Sequence, residues 1–167
     1  MKKPMAVFVV LFLITVVFVV LFLPVPGWPA QRRAIAQINR NCDAPFALTM
    51  PETKLQNTDT FEKRPGFGCY ILENNDISFI LSGYPDILFS KYHITEYKIK
   101  SSKYTLVGLH VGCSLDTARE VMKQYGYTLN DHIYKKNGVI ISISSRDNVV
   151  TSFNVPVKKS SILNVTF

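Results

Sequence analysis

The chain has 167 residues, 47 % of them apolar, and 19 Lys plus Arg stand against 12 Asp plus Glu for a formal charge of +7. That apolar content excludes a disordered chain, and the length left after one apolar N-terminal run suffices for one core, not two. The basic residues lie in ones and twos (Arg32–Arg33, Lys63–Arg64, Lys135–Lys136, Lys158–Lys159) with acids between them. A nucleic-acid module concentrates its cations on one element, so nucleic acid is not an expected partner.

Met5 to Leu23 is a run of 19 residues interrupted only by Thr15. As a helix it would be about 29 Å long, the thickness of a bilayer's hydrocarbon core. Pro24-Val25-Pro26-Gly27 would end it, and Trp28 would fall at the interface. A cleaved signal peptide and an uncleaved signal-anchor compete for this segment. The long apolar core, and the large ring in Trp28-Pro29-Ala30 where a cleavage site needs a small side chain, favour the anchor. Residues 1–23 therefore read as a tail and transmembrane signal-anchor, with single-pass localisation in the cell membrane. Lys2 and Lys3 nearly balance Arg32, Arg33 and Arg40 across the run. The signal-like order of charge, apolar run and breaker then sets the C-terminal part outside the cytoplasm, a tethered cytoplasmic regulator being the alternative.

Residues 24–45 read as a stalk or linker, with a short helix over Gln31–Asn39 that puts Ala34, Ile35 and Ile38 on one face. Residues 46–167 read as a single α+β extracytoplasmic domain. Its first stretch, 46–66, carries turn residues and predicts irregular chain with at most a short strand at Phe46–Met50. Short apolar runs between turns then predict strands over Phe67–Leu72, Ile77–Ser82, Tyr92–Lys100 and Tyr104–Val107. One principal amphipathic helix is predicted at about 114–125. Ser114 is its N-cap, Gly126 its left-handed C-terminal stop, and Leu115, Ala118, Val121, Met122 and Tyr125 share one face. Ile133–Lys135 and Val139–Ser145 flank Asn137-Gly138, a two-residue hairpin signal. A last strand over Val149–Val155 places Val149, Thr151, Phe153 and Val155 together. Ile77–Ser82 and Ile94–Ile99 echo Val139–Ser144 and Val149–Asn154. The echo reads either as a degenerate duplication without a well-formed helix of its own or as the default likeness of alternating strands. The fold class is thus α+β, mostly antiparallel, with one main helix after an N-terminal transmembrane helix.

No residue set identifies a reaction. Cys42, Cys69 and Cys113 are odd in number. A Cys42–Cys69 disulfide would staple 43–66 with a loop-entropy gain on the order of 3 kcal/mol, and three reduced thiols are the alternative. Cys113 precedes a helix N-terminus, where a thiolate is favoured, and His110 or His132 is the only base at hand. His110 lies three residues away in an extended segment, so its ring is aimed from the sulfur and a turn residue is the better reading of Cys113. A cryptic thiol-dependent enzyme using Cys113 is the alternative. His93, His110 and His132 lack zinc spacing, carboxylates are scattered, and no glycine-rich phosphate loop occurs, so no catalytic, cofactor or metal residue is expected. Tyr84, Tyr92, Tyr97, Tyr104, Tyr125, Tyr127 and Tyr134 suit either half-buried sheet packing or an aromatic binding face.

The order Gly108-Leu109-His110-Val111-Gly112-Cys113-Ser114, amphipathic helix, Tyr125-Gly126, strand, Asn137-Gly138, strand, Asp147-Asn148, strand resembles the helix-then-meander module of bacterial envelope proteins. Over Leu106–Val155 it is similar to the repeats of β-lactamase-inhibitor proteins and to the small lipoproteins of outer-membrane assembly. It departs from the lipoproteins in lacking a lipobox cysteine, and from the inhibitors in lacking a clear second copy. The resemblance implies a non-catalytic binding or assembly module of the bacterial cell envelope, which the apolar run would make membrane-anchored. Its expected partners are the membrane and an envelope protein or an anionic wall or lipid surface, to which a mild positive excess is suited.

Overall fold

The computed structural model describes residues 11–15, 28–84, 91–130 and 133–157. Two helices, α1 (Trp28–Arg40) and α2 (Leu115–Gln124), accompany ten strands. These are β1 (Glu62–Gly66), β2 (Cys69–Glu73), β3 (Ile77–Tyr84), β4 (Lys91–Ile99), β5 (Thr105–Leu106), β6 (Leu109–His110), β7 (Thr128–Asn130), β8 (Ile133–Lys136), β9 (Val139–Arg146) and β10 (Val149–Pro156). Eight of the strands form one antiparallel sheet in the order β1-β2-β3-β4-β10-β9-β8-β7, and β5 pairs with β6 alone.

Period-two alternation sorts the sheet into two faces. On one face the register aligns Leu72, Phe79, Tyr97 and Val155 in a row, and Ile77, Ile99, Phe153 and Ile143 in the next, all buried. On the other face Ser78, Lys98, Asn154 and Ser142 line up across the same strands. Ala34, Ile35 and Ile38 of α1 and Ala118 and Met122 of α2 join the apolar face in one hydrophobic cluster. The segment expected to be a stalk therefore packs into the core from residue 28 onward, α1 lying against β9.

The two halves of the sheet match like repeats, and the backbone shows it better than the side chains do. β3 and β4 slip register at Thr95, and β9 and β10 slip at Thr151, 56 residues later. Each slip is a β-bulge that turns the strand's sides over. Ile94, Tyr97 and Ile99 thereby match Val150, Phe153 and Val155, all buried. The strand entry matches too. Thr49 and Met50 exchange backbone hydrogen bonds with Ile94 as Gly112 and Cys113 do with Val150. Thr49 and Gly112 both take positive φ, 67° and 98°. Pro51 and Ser114 then have nearly the same backbone angles, but Ser114 opens the ten-residue α2 and Pro51 opens a 3-10 turn of three residues, Glu52–Lys54. Where the second half has α2, the first half has the irregular 45–61 segment, which packs Phe46 and Phe61 on Phe79 of β3 and bonds Thr49 and Met50 to Ile94 of β4.

Several expectations are corrected here. Phe46–Met50 is no strand, only the approach to an isolated bridge between Pro51 and His93. Charged Glu62–Gly66 forms the fully exposed edge strand β1, which an apolar pattern could not reveal. Val149 and Thr151 face outward because the bulge falls between them and Phe153. The fold class is corrected to an eight-stranded antiparallel sheet in which α2 is the shorter of two helices. Among the described residues no helix is long and apolar enough to cross a membrane. With 13 and 10 residues, α1 and α2 reach only about 20 and 15 Å, and each is apolar on one face. Of Met5–Leu23 only Leu11–Thr15 is described, a helical piece of five residues, and the rest lies outside the described residues. The expected signal-anchor, single-pass membrane localisation and membrane partnership are corrected to that finding, that no described helix can span a bilayer.

The ends of α2 follow the sequence closely. Ser114 Oγ accepts the Thr117 N–H at 3.1 Å. At the other end the Gly126 N–H reaches Lys123 O at 2.9 Å and the Tyr127 N–H reaches Met122 O at 3.0 Å, with Gly126 at φ 78°. That pair of bonds is a Schellman stop, which needs a left-handed residue. Lys136 Nζ adds a bond to Tyr125 O and another to Gln37 Oε1 of α1, tying the two helices together. Ser114→Ala is expected to cost about 1 kcal/mol by orphaning that N–H, read as a lowered urea midpoint at unchanged slope.

Candidate functional site

Between the 45–61 segment on one side and the β2–β3 turn and the chain after β4 on the other lies a cleft of about 440 Å³. Small-molecule sites commonly fall in this size range. Pro45, Phe46, Met50, Lys54, Gln56, Asn57, Thr60 and Phe61 form the first wall, and Asn74, Lys103 and Tyr104 the second. Beneath them Phe46, Phe61 and Phe79 pack ring to ring, with centroids 5.1 to 5.8 Å apart. That triangle fixes the floor.

The second wall is held by local hydrogen bonding. Asn74 Oδ1 accepts the backbone N–H groups of Asp76 and Ile77, each at 3.0 Å, which shapes the turn. Asp76 pairs with Lys103 at 3.2 Å. Bonds from Ser101 and Lys103 hold the Asp76 carboxyl below its ordinary range, and Asp76 with Tyr104 pushes Lys103 upward. Lys103 Nζ lies 5.4 Å from the Tyr104 ring centroid. On the first wall Asn57 has the left-handed φ of 55° that an asparagine tolerates. The side chains of Lys54, Gln56, Asn57 and Thr60 make no hydrogen bond or ion pair among the described residues. Amides, a hydroxyl and an ammonium thus line the same cavity as three aromatic rings.

The cysteines lie elsewhere. Cys42, Cys69 and Cys113 are all free thiols. Cys42 bridges to Leu106 and sits beside the Tyr97 hydroxyl, while Cys69 closes the β1–β2 hairpin opposite Gly66, so the pair expected to bond is held by different neighbours. Cys113 is half-buried in the turn before α2, where its N–H meets His110 O at 3.2 Å and its carbonyl accepts the Val150 N–H. His110 Nδ1 lies 2.9 Å from Val111 O, so its ring is engaged with its own neighbour. His132 lies outside the described residues. Among the described residues no three His, Cys, Asp or Glu side chains converge as a metal set.

Burial pushes the Cys42 thiol above its ordinary 9.0 and Tyr97 well above 10.0, and it takes Tyr127 to about 12. Tyr97 Oη, beside the Cys42 thiol, has no hydrogen-bond partner of good geometry. A raised acid keeps its proton in the folded state where the unfolded chain has lost it, so stability is present below the ordinary values and drains away above them. The urea midpoint is therefore expected to fall as pH rises from about 8 to about 11, and Tyr97→Phe should recover part of the loss. A midpoint flat across that window would contradict the burial of these groups.

The cleft went unseen in the sequence because its residues come from three separate segments. One signal was available: about 20 residues without helical or strand period inside a compact domain are uncommon unless they serve a function. The chain matches no family model, no curated protein and no solved structure. The chemistry of the site rests on its own residues.

Proposed function

We propose that this chain is a non-catalytic binding or assembly module of the bacterial cell envelope, with the cleft beside the Glu52–Lys54 turn as its ligand site. The observation that carries the reading is the asymmetry of the two halves. One half carries α2 over its strands, whereas the other has no helix there and carries a cavity whose first wall holds uncommitted polar side chains over an aromatic floor. A cavity in place of buried helix surface costs stability, and a ligand site is what such a cost commonly accompanies. The envelope assignment is supported by the helix-then-meander order of α2 through β10, the feature the resemblance rests on. Titrating the full chain with a library of small fragments under amide-resolved NMR tests the site. Shifts are expected to gather at Asn57, Asn74, Lys103 and Tyr104, and shifts centred on another surface would overturn it.

A further inference from the structure

We infer that the cleft takes a carbohydrate chain bearing carboxylates, an acidic polysaccharide segment. This rests on the cleft being the ligand site and names what enters it. Sugar hydroxyls both donate and accept, so their sites need side chains that do the same. Gln56, Asn57, Asn74 and Thr60 supply carboxamides and a hydroxyl from both walls of one cavity. Asn74 spends its carbonyl oxygen on the turn, which leaves its amide N–H groups for a ligand oxygen. A pyranose also presents a face of C–H groups, and Phe61 and Tyr104 offer rings against which such a face can pack.

Charge selects the acid. Lys54 and Lys103 line the cleft, and no carboxylate does. Asp76 beside the second wall pairs with Lys103 and offsets its charge, which leaves the Lys54 ammonium as the lining cation without an ion pair among the described residues. A lone lysine acts as a point charge, suited to a single sugar carboxylate, whereas a phosphate cluster is better met by the fork of arginine or a run of backbone N–H groups. A peptide is less well matched. An extended peptide binds by adding its main chain to an open strand, and the backbone of Thr49 and Met50 is already spent on Ile94.

The test sets four probes against the full chain under amide-resolved NMR: an oligogalacturonate trimer, its methyl ester, a glutamate hexapeptide and adenosine monophosphate. The trimer is expected to shift the amides of Asn57, Asn74 and Tyr104 saturably, with affinity that falls as salt rises. The ester, the same sugar without its charge, should bind at least tenfold more weakly. Lys54→Gln should erase that difference while leaving the rest of the spectrum in place. Equal affinity for acid and ester, tighter binding of the peptide or the nucleotide in the cleft, or no response of these amides to the trimer would each overturn the inference. Fragments that enter the cleft when the trimer does not would sink the sugar and leave the ligand site standing.

Discussion

Phe153→Ala is expected to lower the unfolding free energy by about 3–5 kcal/mol, the range for emptying a fully buried aromatic position. Phe153 is wholly inaccessible and sits in β10 opposite Ile99 of β4 and Ile143 of β9. It thus fills the seam where the two halves meet, and its counterpart in the other half is Tyr97. Strands on both sides are held by backbone ladders, so they cannot close over the void. Small domains are stable by only about 5–15 kcal/mol, so the variant should stand near its unfolding limit. Urea unfolding of the two proteins side by side reads the difference. A loss below about 1 kcal/mol would show that the seam does not pack as described.

The second large effect separates two adjacent valines. Val150 is 1 % exposed and Val149 is 43 % exposed, although they follow one another in the same strand. Val150→Asp would bury a carboxylate with no partner and should cost several kcal/mol or abolish folding. Val149→Asp should change stability by less than about 0.5 kcal/mol, as surface changes do. Plain alternation back from Phe153 predicts the reverse, because it counts Val149 and Thr151 onto the buried side. The bulge at Thr151 is what exchanges them. Val149→Asp proving the more damaging variant would refute the bulge.

That strand marks where the sequence stops being legible. Hairpins with explicit chemistry were readable: Asn137-Gly138 adopts the two positive φ values, 48° and 78°, that a tight turn needs, and Ser114 and Gly126 bound α2. Alternation of Val139, Ile141 and Ile143 marks the inward face of β9. It failed at Thr95 and Thr151 because nothing in a threonine announces an extra residue in a ladder. The likeness of the two halves was audible only as an echo, and the echo of the last strand was one residue out of step for the same reason. β1 escaped because an edge strand can be made of Glu, Lys, Arg, Pro and Gly, residues that discourage further pairing and also hide the strand. The cleft escaped because Asn57, Asn74 and Tyr104 meet only in space, once the chain after β4 has reached the β2–β3 turn through the bond from Lys100 N–H to Asp76 O.

The seam between β4 and β10 also sets an order of events during synthesis. Every strand of the first half can pair as it emerges, β1 with β2, β2 with β3 and β3 with β4. The partner of β4 on its other side is the last strand of the sheet, more than 50 residues farther along. Until β10 leaves the ribosome, β4 presents an open row of backbone donors and acceptors with Tyr97 and Ile99 uncovered beside it. Such an edge recruits whatever strand arrives first, including the β4 of another nascent chain. The finished sheet has guarded edges on both flanks, a charged strand with a proline on one and a three-residue strand on the other. The half-made one has a long apolar edge at its centre, and the last strand to be synthesised is the one that retires it.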